Sequence, residues 1–386
     1  MIEQLITTLE GWCNAYGIAG LGVMVAGAAA FLVQLHYWVV RCGRIPTYRD
    51  NSTAAGEPSV SVAIICRGND ADFLERRLPA MLKQEYDAFE IIVADITGDA
   101  DFADALARIA DHTQHLRVVH LVRDRRFPIS DKQAFNMAIK AAACDNILLT
   151  TPDTMPDSPQ WLARMARGFD SGDVVLGYCG MAGNTLADKL IRIDNVGLTT
   201  RWLSAAVNRH PYRGTIQNIG FSKKLYFDNA GFNHLNMNIG IEDLFIQKLL
   251  PQATVSIVVT PHSIVRQKIW GGVGWWYALR RTNSFCFKHY PRRIKCSIRS
   301  ELISRTVFFA AAAVLLALAP IGIKICTGTL LFVRFGVVMF EQHHIAKRLG
   351  EKGLWAVAIA YDLLAPLYET CMAADRCFRH TPNLWR

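Results

Sequence analysis

A handful of polar residues in this sequence have the type and setting for chemistry. Asp95 closes the apolar run FEIIVAD, and Asp153 follows the run NILLTT by two positions. Lys132 stands at the head of an amphipathic stretch, and Glu242 and Asp243 are adjacent in GIEDLF. Carboxylates can ligate a hard divalent cation or take a proton from a reacting hydroxyl as a general base. Each residue also has a plain structural reading. An Asp at a strand end caps a helix or closes a turn. Glu242 and Asp243 can be the acidic first turn of a helix over 244–250, favoured there by the helix dipole. Lys132 can be a solvated helix residue, and Arg123, Arg125 and Arg126 an ordinary basic loop.

The elements that must position these groups can be read from the hydrophobic pattern. Residues 59–66 (SVSVAIIC) form a β-branched run that ends at the turn-like Arg67-Gly68-Asn69-Asp70. Over 73–84, Leu74, Leu78, Met81 and Leu82 recur at helical spacing. A strand is predicted at 89–95, a helix at 100–112, a strand at 116–121, a helix at 132–143 and a strand at 146–151. The resulting βαβαβαβ order implies a mostly parallel sheet covered by helices. Ligands in such sheets bind outside the carboxyl ends of the strands, which is where Asp95 and Asp153 fall.

The flanks have a different composition. Of 386 residues, 51% are hydrophobic and only 19% charged, and the mean hydropathy is +0.16. The apolar excess lies at the two ends of the chain. Residues 16–40 are long enough to cross a hydrocarbon core. Only Glu3 and Glu10 are charged before that run, and Arg41, Arg44 and Arg49 come after it, so the positive-inside rule places the chain beyond Arg41 in the cytoplasm. A cleaved signal peptide is excluded by the length of the run and the missing basic start. Arg292, Arg293, Lys295, Arg299 and Arg305 precede a second run at 306–323, which should leave the cytoplasm. A short third run at 330–340 can return if Arg334 faces protein. The segment 343–352 (HHIAKRLGEK) suits a cytoplasmic interface. The last run, 354–374, carries Asp362, Pro366 and Glu369 and can either span or lie in the interface. The net charge of +9 is absorbed by this pattern, and no nucleic-acid-binding motif is visible, so nucleic acid is not an expected partner. Ten cysteines without a CxxC pair or metal-ligand spacing read as small buried hydrophobes in a reducing compartment.

Three colinear segments resemble glycosyltransferase family 2 proteins with a GT-A fold, especially membrane-anchored bacterial members related to cellulose and hyaluronan synthases. They are VSVAIICRGNDADFLERRLPAMLKQEYDAFEIIVAD, DKQAFNMAIKAAACDNILLTTPDTMPDSPQWL, and GTIQNIGFSKKLYFDNAGF with GIEDLF after it. The resemblance runs over about residues 58–276. It implies an α/β GT-A domain between N-terminal and C-terminal transmembrane helices. The domain limits would be 1–45 for the anchor, 46–300 for a cytoplasmic catalytic domain with an interfacial segment 262–295, and 301–386 for two or three further apolar helices.

The resemblance also implies roles. Sugar transfer from a nucleoside diphosphate requires neutralising a diphosphate leaving group and deprotonating an acceptor hydroxyl. Asp153 matches the second Asp of the family's DxD motif and would hold Mg²⁺ or Mn²⁺. Asp95 and Lys132 match positions near the nucleotide. Asp243 matches the base of the family's Glu-Asp pair, with Glu242 beside it, and direct displacement would invert the anomeric centre. Gln267 and Lys268 lie where the family carries Gln-x-x-Arg-Trp, and Trp270, Trp275 and Trp276 offer flat faces for sugars or anchors for the membrane interface.

The expected partners are a nucleotide-sugar donor, a glycan or lipid-linked acceptor, membrane lipids and other polysaccharide-assembly proteins. The expected location is an inner membrane, crossed several times, with the catalytic domain cytoplasmic. The chain departs from the family pattern at Thr151, Ile96 and Trp270, where two carboxylates and an arginine are missing. Those losses leave a catalytically degenerate membrane scaffold as one alternative reading. A nucleotidyltransferase is a second, although no Gly-rich activation loop supports it.

Overall fold

In the computed structural model, residues 2–49, 56–121, 129–234 and 240–378 are described. The basic loop with Arg123, Arg125 and Arg126 lies outside them. Among the described residues ten strands occur in chain order: β1 (Val60–Cys66), β2 (Phe89–Asp95), β3 (Leu116–His120), β4 (Asn146–Leu149), β5 (Thr154–Pro156), β6 (Val174–Gly177), β7 (Cys179–Met181), β8 (Ile219–Ser222), β9 (Val255–Val258) and β10 (Val265–Gln267). Seven of them form one sheet in the order β3-β2-β1-β4-β8-β6-β9, parallel except where β8 runs against β4 and β6. The predicted strands and helices from 59 to 151 are present with small shifts at their ends.

Burial on both faces explains the unbroken apolar strands. Val62, Ile64, Ile91 and Val93 point into one core with Phe102, Leu106 and Trp161. Ala63, Ile65, Ile92 and Ala94 point into the other, with Phe135, Ile139, Phe221 and Phe245. Three short strands form a second sheet, in which β10 pairs antiparallel with β5 and parallel with β7. This small sheet brings the 267 region to the carboxyl end of β4.

Among the described residues, four helices are long and apolar enough to cross a membrane: Tyr16–Thr47, Arg292–Leu318, Ile321–Arg348 and Trp355–Arg376. The second run ends at Leu318 rather than at 323, because Pro320 precedes the next helix and cannot continue the first. The third, expected to be short, continues from Ile321 to Arg348. Arg334 faces protein: it is 2% exposed and ion-paired with Asp362. Gln34 on the first helix accepts from Arg334 at 3.0 Å.

From there a chain of alternating charges runs into the α/β domain. Asp362 meets Arg305 at 3.7 Å, and Arg305 pairs with Glu301. Glu301 lies 3.9 Å from Arg201, which pairs with Glu369 at 2.7 Å. Arg280 then joins Glu369 at 2.9 Å to Asp194 at 3.1 Å. Each buried charge has an opposite partner, the condition under which burial is tolerated.

The fourth helix lies against the α/β domain along its length. Tyr361 donates to Asp194 at 2.8 Å, Glu369 binds Arg201 and Arg280, and Asp375 accepts from Tyr277 at 2.8 Å. On its outer side Trp355, Ile359, Leu363 and Leu367 are exposed, four residues apart, forming a single apolar stripe. Cys42, Cys66, Cys179 and Cys286 are buried as expected, but Cys296, Cys326 and Cys371 are exposed, and the eight described cysteines are all free thiols.

Candidate active site

Asp95 ends β2 with partners on both carboxylate oxygens. The Thr97 amide and hydroxyl donate to Oδ1 at 2.9 and 2.7 Å, and His120 Nδ1 lies 3.1 Å from Oδ2. Lys132 sits in the first turn of the helix Asp131–Ala141, whose start is fixed by a capping box between Ser130 and Gln133. Partial burial draws the Lys132 ammonium below its ordinary range.

Asp153 lies between β4 and β5. The register of β10 on β5 sets Gln267 opposite Thr154, so Gln267 Nε2 donates to Asp153 Oδ2 at 2.8 Å. The Trp270 indole donates to the same oxygen at 3.0 Å, and the Thr151 hydroxyl donates to Oδ1 at 2.6 Å. Thr151 and Trp270, the two departures from the family pattern nearest to Asp153, therefore both clasp that carboxylate. The Lys268 amide donates to the Asp153 carbonyl at 2.9 Å, and its ammonium lies 4.3 Å from the Trp270 ring centroid and 3.9 Å from Asp72.

Among the described residues no group of three His, Cys, Asp or Glu side chains could hold a metal ion. The donor set fits a hard cation that arrives with a diphosphate, since Mg²⁺ commonly keeps water and phosphate oxygens and takes one or two protein carboxylates. Asp153 is the carboxylate that the sequence resemblance offers for such a cation, and in this structure Gln267 and Trp270 both donate to its Oδ2.

Glu242 and Asp243 lie in one wide helical turn, Ile241–Phe245, of the kind often found at functional sites. Gly240 leads into it at φ 101°, a left-handed conformation that glycine adopts without penalty. The two carboxylates diverge. Asp243 is 1% exposed, accepts from the Tyr290 hydroxyl at 2.6 Å and from the Leu244 amide at 2.6 Å, and does not line the cavity. Glu242 lines a cavity of about 470 Å³ and is ion-paired with Arg213. Burial pushes the Glu242 carboxyl above the ordinary carboxylate range, Arg213 pulls it down, and Asp243 pushes it up again.

Gln267 also lines this cavity and accepts from Gln217 at 3.1 Å, so it touches both the Asp153 carboxylate and the cavity that holds Glu242. Trp276 lines it too, its indole tied to Asp194 at 2.6 Å, whereas Trp270 is 51% exposed. Asp95 and Lys132 stand apart from the cavity lining. Sequence reasoning missed Arg213, Gln217 and Tyr290. Arg213 directly precedes the GTIQN segment, but no spacing links it to position 242.

Residues 61–225 match the family model described as Glycosyl transferase family 2. No curated protein matches the chain in sequence. Among solved structures, the chain is similar to the mannosyltransferase PcManGT from Pyrobaculum calidifontis, solved in complex with GDP-Man and Mn²⁺. The two share 14% identity at a TM-score of 0.57, over 92% of this chain and 98% of that one. Residues 1–349 of S. aureus TarS, solved with UDP-GlcNAc, align at 14% identity over 79% of this chain and 92% of that one, with a TM-score of only 0.41. The chain thus has the GT-A fold of glycosyltransferases, an α/β domain flanked by apolar helices, and its residues 61–225 carry the match to glycosyltransferase family 2.

Proposed function

We propose that the protein is an inverting, metal-assisted glycosyltransferase that moves a sugar from a nucleoside-diphosphate sugar to a glycan or lipid-linked acceptor at a membrane surface. The observation that carries this reading is the convergence on Gln267: one side chain bonds Asp153 and also lines the cavity that contains Glu242. A donor diphosphate at Asp153 and an acceptor hydroxyl at Glu242 would then meet in one place, and proximity of this kind lowers a transfer barrier.

The donor nucleoside would lie at the carboxyl ends of β2 and β4, near Asp95 and Lys132. Lys268 stands beside Asp153, where a diphosphate would draw its ammonium. A bound Mg²⁺ or Mn²⁺, the latter present in the Pyrobaculum enzyme, would neutralise the leaving diphosphate, with Asp153 as its protein ligand. An acceptor oxygen attacks the anomeric carbon from the face opposite the nucleotide, and the bond to the diphosphate oxygen breaks with its electron pair.

Glu242 takes the acceptor proton. Its carboxylate faces the cavity and is raised towards the range useful to a base. Asp243, to which sequence similarity gives that role, instead fixes Tyr290 and the wide turn, and acts as a positioning residue.

The domain scheme is a first helix crossing outward-to-inward, an α/β domain at the cytoplasmic face, and a returning pair of helices at 292–318 and 321–348. The fourth helix lies in the plane of the membrane surface. Tyr361, Glu369 and Asp375 bond this helix to the α/β domain, and its outer apolar stripe suits the interface.

The test is nucleotide release by the detergent-purified protein over a panel of UDP- and GDP-sugars, with Mg²⁺, Mn²⁺ or EDTA and native lipid extract as acceptor source. Metal-dependent release from one sugar nucleotide is expected. Glu242→Gln should lower the rate by about 10² to 10⁴, and Asp243→Asn by about tenfold. A larger loss in Asp243→Asn, with donor affinity intact, would return the base role to Asp243. Binding of sugar nucleotides without turnover by the wild type would identify a scaffold instead.

A further inference from the structure

We propose that a second cavity, walled in part by the end of the first apolar helix, binds the headgroup phosphate of an anionic membrane lipid. This lipid is a bound ligand rather than the acceptor, so the site stands whether or not the chain transfers sugar. The cavity measures about 900 Å³. Four separate stretches wall it: the end of the first helix between Tyr37 and Tyr48, residues 201–212, residues 250–257 leading into β9, and the start of the second helix between Pro291 and Glu301. Arg201, Tyr212 and Ile298 stand between it and the catalytic cavity and line both.

These walls are nearly free of acid. No Asp or Glu occurs in 36–49, 195–218, 244–259 or 285–300. Glu301 is the acidic residue of the lining, and it is already held by Arg305 and lies 3.9 Å from Arg201, which also pairs with Glu369. Arg41, Arg209 and Arg293 remain, and among the described residues none of them is ion-paired. Arg41 donates to the Ser297 hydroxyl at 3.0 Å and Arg293 to His210 Nε2 at 3.0 Å, acceptors that carry no negative charge. Three guanidinium charges therefore converge on one space without a carboxylate to balance them. The backbone points the same way. The helix Leu186–Val207 ends with the His210 amide bonded to the Ala205 carbonyl at 2.8 Å and the Arg209 amide to the Ala206 carbonyl at 2.9 Å. In that motif the residue in the left-handed conformation is usually glycine, yet here it is Arg209, at φ 63°. An arginine in that place runs against local backbone preference and brings the cavity a charge that glycine could not.

The position of these charges favours a lipid as the source of the phosphate. Arg41 lies near the end of the span Tyr16–Thr47, and Arg293 lies at the start of the span Arg292–Leu318. Val39 and Val40, just before Arg41, are 48% and 45% exposed, so an apolar surface begins where the basic one stops. A lipid whose phosphate meets the three arginines can lay its chains on that surface. Basic pockets between helix ends suit anionic headgroups in this way, and a guanidinium offers phosphate oxygens directed, paired hydrogen bonds. A zwitterionic lipid would bring its own ammonium into the same space and match it less well.

The test is a calorimetric titration of the full-length protein in a neutral detergent with short-chain phosphatidic acid, short-chain phosphatidylcholine and inorganic phosphate. Phosphatidic acid should bind about tenfold more tightly than either of the others, and it should raise the thermal unfolding midpoint. Arg209→Gly combined with Arg293→Gln should lose about tenfold in that affinity. Arg209→Gly alone should weaken binding several-fold while leaving the lipid-free midpoint at or above that of the wild type, because glycine adopts φ 63° without penalty. A loss of fold then cannot account for the loss of binding. Lys288→Gln combined with Arg292→Gln removes two neighbouring charges that lie outside the cavity lining, and it should leave the affinity nearly unchanged. Equal losses in the two double variants would make the attraction diffuse surface charge. Equal binding of phosphatidylcholine would make the site merely apolar, and equal binding of inorganic phosphate would make its ligand a soluble anion. Each of these three results overturns the proposal.

Discussion

The two halves of the site are built in opposite ways. Asp95 and Lys132 are supported largely by near neighbours, Thr97 beside Asp95 and the Ser130–Gln133 box beside Lys132, while Asp153 is held by Thr151 nearby and by Gln267 and Trp270 from the second sheet and its following loop. Around Glu242 the supporting bonds come from afar: Arg213, Asn283 and Tyr290 reach it or its neighbour from separate elements, and Arg201, Arg280 and Glu369 tie the cavity wall to the apolar helices. The proposed donor half can keep its geometry as long as the two sheets of the α/β domain are intact. The proposed acceptor half takes its supports from the α/β domain and the apolar helices together, so on this reading its chemistry depends on their docking.

The sharpest way to break that dependence is in the ion-pair chain. Arg334→Ala leaves Asp362 buried without its closest partner, which costs about 3–5 kcal/mol. Thermal unfolding in detergent should show a lower midpoint, and acceptor-dependent turnover should fall before sugar-nucleotide binding does. If both properties fall together, the two halves are not separable in this way.

A smaller effect is expected on the donor side. Asp153→Ala should weaken sugar-nucleotide binding about tenfold, or about 1.4 kcal/mol, and remove its metal dependence, since Asp153 is the carboxylate proposed for the cation. Titrations with and without EDTA decide this, and metal dependence that survives unchanged would exclude the assignment.

The subtlest prediction concerns pH. Burial raises the Glu242 carboxyl and Arg213 opposes that rise. A base works only when deprotonated, so turnover should fall as pH drops through this raised value. In Arg213→Gln the opposing charge is gone, and the acidic limb of the turnover profile should move to higher pH. A limb that stays in place would mean that Glu242 is not the titrating base.

Much of the donor half was legible in the sequence. Strands 59–66, 89–95, 116–121 and 146–151 were marked by apolar β-branched runs, and burial on both faces of a parallel sheet is what makes such runs continuous. Their order located Asp95 and Asp153 at the same sheet edge. The divergence of Glu242 and Asp243 was not legible. Adjacent residues on a helix differ in direction by about 100°, but which one meets the cavity depends on the widened turn after Gly240 and on Tyr290, 47 positions later. The partners of Asp362 and Glu369 on the fourth helix were equally hidden, because Arg334, Arg201 and Arg280 come from distant segments.

The sequence by itself determined the alternation of strands and helices, the apolar flanks and the carboxylates at the strand ends, because periodicity and turn chemistry are local properties of the chain. The tertiary structure decided which carboxylate faces the cavity, how Gln267 reaches Asp153 from 114 positions away, and that Arg201 and Arg280 join the α/β domain to the apolar helices through Glu369. Those are contacts between distant segments, and their energies depend on burial and charge pairing that exist only once the chain is folded.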